Sequence, residues 1–217
     1  MKRFLLAIAI IIFSISAQSQ IKKGSRYVGA QVSYISGNYG YNTQEQRSRN
    51  ATIGAYLGKF TRENQVAGIQ FSYSSGKAET LDNGTVLSEN LNRIMEAGVF
   101  LRKYKKLAKD FYFFGQGDIA YRGGKQTNQF STPNSDNKVT QTGGYLALSA
   151  GLSYQVFNHF YFEVGVPNIL LLQYTHSNQE VNGVTPSNFK QNEFLFRSSL
   201  LSSSGLSTFG IGFRVIW

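Results

Sequence analysis

The feature that most constrains this chain is a hydropathy period of two. Val28, Ala30, Val32 and Tyr34 alternate with Gly29, Gln31 and Ser33. Ala51, Ile53, Ala55 and Leu57 alternate with Thr52, Gly54 and Tyr56, and Ala67, Ile69, Phe71 and Tyr73 with Gly68, Gln70 and Ser72. The pattern returns from Met95 to Arg102, Tyr112 to Arg122, Leu146 to Tyr154, Phe160 to Val166 and Phe209 to Trp217. Successive side chains on a strand point to opposite faces, so each segment builds one apolar and one polar face. About eight such segments are present beyond Gln18, and none of this region carries a convincing 3.6-residue period. The expected fold class is therefore all-β.

The connections alternate in length. Polar stretches near Gly37–Ser48, Lys77–Glu89, Gly123–Thr142 and Thr175–Gln191 read as long loops. Thr61–Asn64, Lys103–Lys109 and Phe157–His159 are short. That alternation predicts an eight-stranded antiparallel up-and-down barrel with one rim of turns and one of loops. Pro167 falls inside the seventh segment, where a missing N–H predicts a bulge or a strand shift.

Soluble and membrane barrels share this layout, and the composition of the two faces separates them. A barrel in water shows it a face rich in Lys, Glu and Thr. Here only 16% of residues are charged, against roughly 25% in a soluble domain. The polar face is mostly Gly, Ser, Ala and Gln, which suits a narrow packed lumen. The other face is Val, Ile, Leu, Phe and Ala. Tyr34, Phe60, Tyr73, Tyr121, Tyr154, Phe160 and Trp217 stand at segment ends, where membrane barrels carry aromatic girdles. By parity Glu96, Arg102, Asp118, Arg122, Glu163 and Arg214 point inward, three acids and three bases. Unpaired charge in a confined lumen is costly. At least two pairs are therefore expected across neighbouring strands: Glu96 or Arg102 with Arg122 or Asp118, and Arg214 with Glu163. Such a lumen is plugged.

The N-terminus carries a secretory signal. Lys2 and Arg3 precede an uncharged apolar run from Phe4 to Phe13, followed by the small residues Ser14, Ser16 and Ala17. That run is half of what a spanning helix needs. Cleavage is expected after Ala17, giving a signal peptide over 1–17 and a barrel over 22–217.

The C-terminal string FGIGFRVIW ends on Trp217, with Val215 and Phe213 alternating behind it. With hairpins such as GIQFSYSSGK and LALSAGLSYQVFNHFYFEVG, the chain resembles the small outer-membrane β-barrels of Bacteroidetes, OmpA/OmpX-like in architecture. The resemblance implies a bacterial outer-membrane location with both termini periplasmic. It also implies contact with outer-membrane lipids, and barrel-assembly machinery that reads Phe213, Val215 and Trp217. It carries no catalytic residue set.

Other motifs support little. Gly115-x-Gly117-x-x-Ala120 lacks the helix a dinucleotide fingerprint requires. With 0 Cys and 2 His, thiolate sites are excluded and a histidine metal cluster is disfavoured. The net charge of +10 is scattered; its one cluster, Lys103, Lys105, Lys106 and Lys109, reads as a solvated turn or an anionic headgroup contact. No cofactor, metal or nucleic-acid partner is expected, and the barrel is expected to be a monomer. His159, His176, Ser177 and Asp136 are the residues a lipid-acting barrel enzyme would draw on. The leading expectation is a structural or surface-interaction protein acting through four long extracellular loops, toward a ligand the sequence does not name. A narrow solute channel is the alternative.

The folded barrel should resist SDS until heated, since a closed ladder exposes no backbone edge. Deleting Trp217 should lower the amount of heat-modifiable barrel in the membrane fraction. Unchanged levels would count against the assignment of the last strand.

Overall fold

The computed structural model describes residues 21–41, 43–130, 137–181, 187–198 and 210–217. The signal segment and Asp136 lie outside them. The described chain is strand and turn throughout: β1 (Arg26–Tyr41), β2 (Gln44–Arg62), β3 (Gln65–Asp82), β4 (Thr85–Lys106), β5 (Phe111–Phe130), β6 (Asn137–Phe157), β7 (Phe160–Val181), β8 (Ser187–Ser198) and β9 (Gly210–Ile216). All pairings are antiparallel, and each of β1 to β7 pairs with the next. β9 pairs with both β7 and β1, which closes a ring of eight. At the ends of that seam Arg26 N donates to Trp217 O at 2.7 Å, and Trp217 N to Arg26 O at 3.2 Å.

The eighth position of the ring is shared. β7 pairs with β9 through Phe160–Gly165 and with β8 through Leu170–Val181. Pro167 sits at the changeover. Its neighbour Asn168 takes a left-handed φ of 53°, and the β6–β7 register slips between Leu148 and Ala150. The proline therefore stands where one partner ends and the next begins, as its missing donor requires. Above this point, among the described residues, Ser33–Tyr41 of β1 pair with β2 alone.

Two expectations change. The polar stretches read as long loops are mostly strand. β3 and β4 run to a two-residue turn at Asn83-Gly84, both with positive φ (49° and 81°), the backbone of a tight hairpin. β1 and β2 pair as far as Tyr41 and Gln44. Beyond the apolar belt both faces of a strand meet water, so alternation fades while the hydrogen-bonded ladder continues. The stretch read as the last long loop, Thr175–Gln191, likewise belongs largely to β7 and β8. β8 escaped notice because Phe194-Leu195-Phe196 breaks the period of two.

The outer wall is apolar, and two aromatic tiers bound it. Tyr34, Tyr73, Tyr121 and Tyr174 stand exposed toward the protruding hairpins, and Phe111, Phe113, Tyr154, Phe157 and Trp217 toward the termini. Phe60 is the exception among the expected girdle residues. It is 1% exposed and packs inside the lumen, because it shares parity with Thr52, Gly54 and Tyr56.

Candidate functional site

The lumen is built in three storeys. At the end where Ile21 and Trp217 lie, Tyr27, Phe60, Val66, Phe100, Tyr104, Tyr112, Phe114 and Tyr161 fill it, with Ile21 and Ile216. Their rings meet in a chain. Phe60 stacks on Tyr104 at 6.1 Å between centroids, and Tyr112 lies edge-on to Tyr104 and Tyr161 at 6.3 and 6.0 Å. Ile21 is held beneath them by Asn64, whose Oδ1 accepts from Ile21 N at 2.9 Å. The expectation of a small, polar inner face missed these aromatics; the signal was parity, which puts Phe100 and Tyr104 on the same face of β4 as Glu96 and Arg102.

Above the rings lies a charged layer. Glu163 on β7 holds two arginines, Arg102 of β4 at 2.6 Å and Arg214 of β9 at 3.1 Å. All three side chains are at most 2% exposed. Tyr104 donates to the second carboxylate oxygen at 2.8 Å. Arg214 also donates to Tyr27 Oη at 2.6 Å and to the carbonyls of Ala30 and Phe213. The guanidinium of Arg102 lies 4.3 Å from the Phe114 ring centroid, and that of Arg214 lies 4.7 Å from Tyr56. Cation–π contact of this kind strengthens where water is excluded. Arg214 fits only because two neighbours lack side chains. A methyl at Gly29 would overlap its Cδ, and one at Gly212 would lie 2.8 Å from its Nη1.

Of the six inward charges, the structure brings five into ion pairs. Glu96 and Arg122 face each other across β4 and β5, 3.6 Å apart and half-buried. Arg214 and Glu163 meet across β9 and β7. The Arg102–Glu163 pair spans the lumen and joins strands that are not neighbours; strand parity alone does not indicate it. Asp118 has no arginine within 4.0 Å among the described residues. It accepts from Gln116 Nε2 at 2.6 Å, and Gln116 Oε1 accepts in turn from Arg102 Nε. Phe213, Val215 and Trp217 point outward, exposed on the last strand.

The third storey is a polar cup of about 620 Å³ on the far side of the charged layer from the rings. Gln31, Gln70, Ser72, Asp118, Tyr145 and Gln173 line it above the charged floor. Tyr145 Oη donates to Glu96 at 3.1 Å and Arg122 donates to Gln173 at 2.6 Å. The volume is in the range of small-molecule sites, and the lining offers amides and hydroxyls.

Among the described residues weighed for catalysis, the two histidines lie far apart. His159 closes the Phe157–Phe160 turn at the termini end, with φ at 71° and Nδ1 2.7 Å from Ile216 O. His176 lies half-buried on the far half of β7, its Nδ1 2.8 Å from Asn192 Oδ1. Among the described residues no group of three metal-binding side chains gathers.

A closed antiparallel ring, lipid-compatible outside and polar within, has the fold of a bacterial outer-membrane β-barrel. Among the solved structures that share it are two that superpose on this chain. The outer membrane protein OprG from Pseudomonas aeruginosa superposes with a TM-score of 0.53 at 12% identity, covering 90% of this chain and 97% of that one. A major outer membrane protein from Thermus thermophilus gives 0.50 at 8% identity, covering 89% and 99%. At such identities the likeness is one of fold. No protein-family model matches the sequence, and no curated protein matches it either.

Glu163→Gln should lower stability by about 3–5 kcal/mol, because it leaves two buried arginines without their carboxylate. Glu96→Gln, at a half-exposed pair, should cost about 1 kcal/mol or less. Urea unfolding midpoints in detergent would compare the two. Equal effects would show that the central layer carries no special load.

Proposed function

We propose that this chain is a bacterial outer-membrane barrel that does not conduct. Its cup and protruding hairpins meet the exterior, and its termini lie in the periplasm. The observation that carries this reading is the floor of the cup. Arg102, Glu163 and Arg214 are nearly inaccessible and rest on packed rings. A solute could pass only if both arginines left their shared carboxylate. An eight-stranded ring leaves an interior just wide enough for side chains, which supports the same conclusion.

Strand length supports the surface role. A membrane barrel strand needs about 9–11 residues to cross. β4 and β7 have 22 each and β5 has 20. The surplus lies beyond the upper tyrosines, and it projects the hairpins by roughly 20–25 Å, allowing for strand tilt. The turns at the termini end are short, as periplasmic turns are. The role is interaction or envelope structure.

Two measurements test this. Purified barrel in planar bilayers should give no steady conductance; a stable open channel would overturn the closed lumen. The chain has no cysteine, so single thiols report orientation cleanly. Thr85→Cys, beside the Asn83-Gly84 turn, should react with a membrane-impermeant maleimide on intact cells. Glu63→Cys should react only after the outer membrane is opened. The reverse pattern would invert the barrel.

A further inference from the structure

The outer wall of β2 to β5 carries an arrangement that a strand pair ordinarily avoids. Arg49 on β2 stands directly opposite Lys77 on β3, and Arg93 on β4 directly opposite Lys125 on β5. Ser75 is the register partner of Arg93, so Lys77 and Arg93 are diagonal neighbours. All four side chains are exposed and share the parity of the apolar wall. Four bases thus follow one another over three strand spacings, about 14 Å. Like charges directly opposite each other destabilise a sheet.

The acids nearby do not balance them. Glu79 and Glu89 both contact Lys77, at 2.9 and 2.7 Å, and Glu79 also lies in the field of Arg49. Glu45 is taken by Arg47 at 2.8 Å. Among the described residues, no carboxylate lies within 4.0 Å of Arg93 or Lys125. On the same rim Lys138 of β6 faces Glu180 of β7, and Glu79 of β3 faces Glu89 of β4, a like-charge pair that Lys77 bridges.

The level of the cluster is informative. Met95 follows Arg93 on the same face and is 67% exposed; Tyr121 and Tyr73 stand below Lys125 and Lys77, exposed by 61% and 37%. Arg93 therefore sits one face position beyond Met95, and Lys77 and Lys125 two beyond Tyr73 and Tyr121, at headgroup depth above side chains that suit acyl chains. Basic residues at this depth attract anionic headgroups, each by an amount that falls off within a Debye length.

We infer that Arg49, Lys77, Arg93 and Lys125 form a docking site for the phosphate groups of a lipid headgroup. Arg93 and Lys125 are its uncompensated centre, and Met95, Tyr73 and Tyr121 form the acyl-chain side. The inference rests on the membrane placement proposed above. Bound phosphate would relieve both like-charge pairs, which makes the lipid part of the folded wall.

The test uses the full barrel in neutral detergent, titrated with a bisphosphorylated glucosamine lipid in mixed micelles. The matched arms are the same lipid without phosphates, and inorganic phosphate as competitor. The phosphorylated lipid should bind, more weakly as salt rises, and the dephosphorylated lipid should not. Arg93→Gln with Lys125→Gln should weaken binding on the order of tenfold to thirtyfold, at about 1 kcal/mol per base. Lys138→Gln should leave it unchanged. Each variant is first shown to be folded by its shift on SDS gels with heating. Equal binding of the two lipids, or an unaffected double variant, would overturn the site. Displacement by inorganic phosphate at matching concentration would overturn the lipid as its ligand. Fractionation of the cells is read separately. A folded barrel in the outer membrane that fails to bind refutes only this inference, whereas recovery in the soluble periplasm refutes the placement beneath it.

Discussion

One carboxylate organises the interior. Glu163 is shared by two arginines that reach it from opposite sides of the lumen, Arg102 from β4 and Arg214 from β9. Removing three charges from water costs several kcal/mol each before any attraction is counted. The structure meets that cost with dense partnering: Tyr104 and Tyr27, two backbone carbonyls, Gln116 and the faces of Phe114 and Tyr56. Glycines at 29 and 212 leave the room Arg214 needs. The layer ties the middle of the chain to its last strand. That last strand is also the one that closes the ring, so side-chain pairing inside and backbone pairing in the wall reinforce one another.

The wall answers a different constraint. Lipid offers nothing to a free N–H or C=O, so the ladder must close on itself. β9 does this for the part of the ring nearest Trp217 with only seven residues, pairing on both sides; beyond Val32 and Gly165, among the described residues, β8 pairs with β7 and β1 with β2. Pro167 removes a donor at the point where β7 passes from β9 to β8, so the break in the ladder falls where a bond would be lost in any case. Beyond the belt the strands continue into water as hairpins. There the ladder is held by the tight turn at Asn83-Gly84 and by pairs such as Lys77 with Glu79 and Glu89.

Parity made much of this legible. The alternation of Val, Ile and Leu with Gly, Ser and Gln specifies strands, faces and the inward set Glu96, Arg102, Asp118, Arg122, Glu163 and Arg214. Three things resisted. Phe60 looks like a girdle residue by its place at a strand end, and only its parity with Tyr56 assigns it to the lumen. The hairpin extensions and β8 carry little periodicity, because both faces there meet water or follow a run such as Phe194-Leu195-Phe196. The pairing of Arg102 with Glu163 crosses the lumen, and no local spacing encodes a distance between strands three places apart. The basic pairs on the outer wall are hidden for the same reason: Arg49 and Lys77, or Arg93 and Lys125, become neighbours only when the register is known.

The central claim is that Arg102 and Glu163 are coupled across the lumen and that the barrel depends on it. A double-mutant cycle with Arg102→Met and Glu163→Gln, read from unfolding free energies in detergent, measures that coupling without assuming what either residue contributes alone. A coupling of about 2 kcal/mol or more is expected, with the double variant more stable than the sum of the single losses implies. Additive losses, with coupling within about 0.5 kcal/mol of zero, would contradict it.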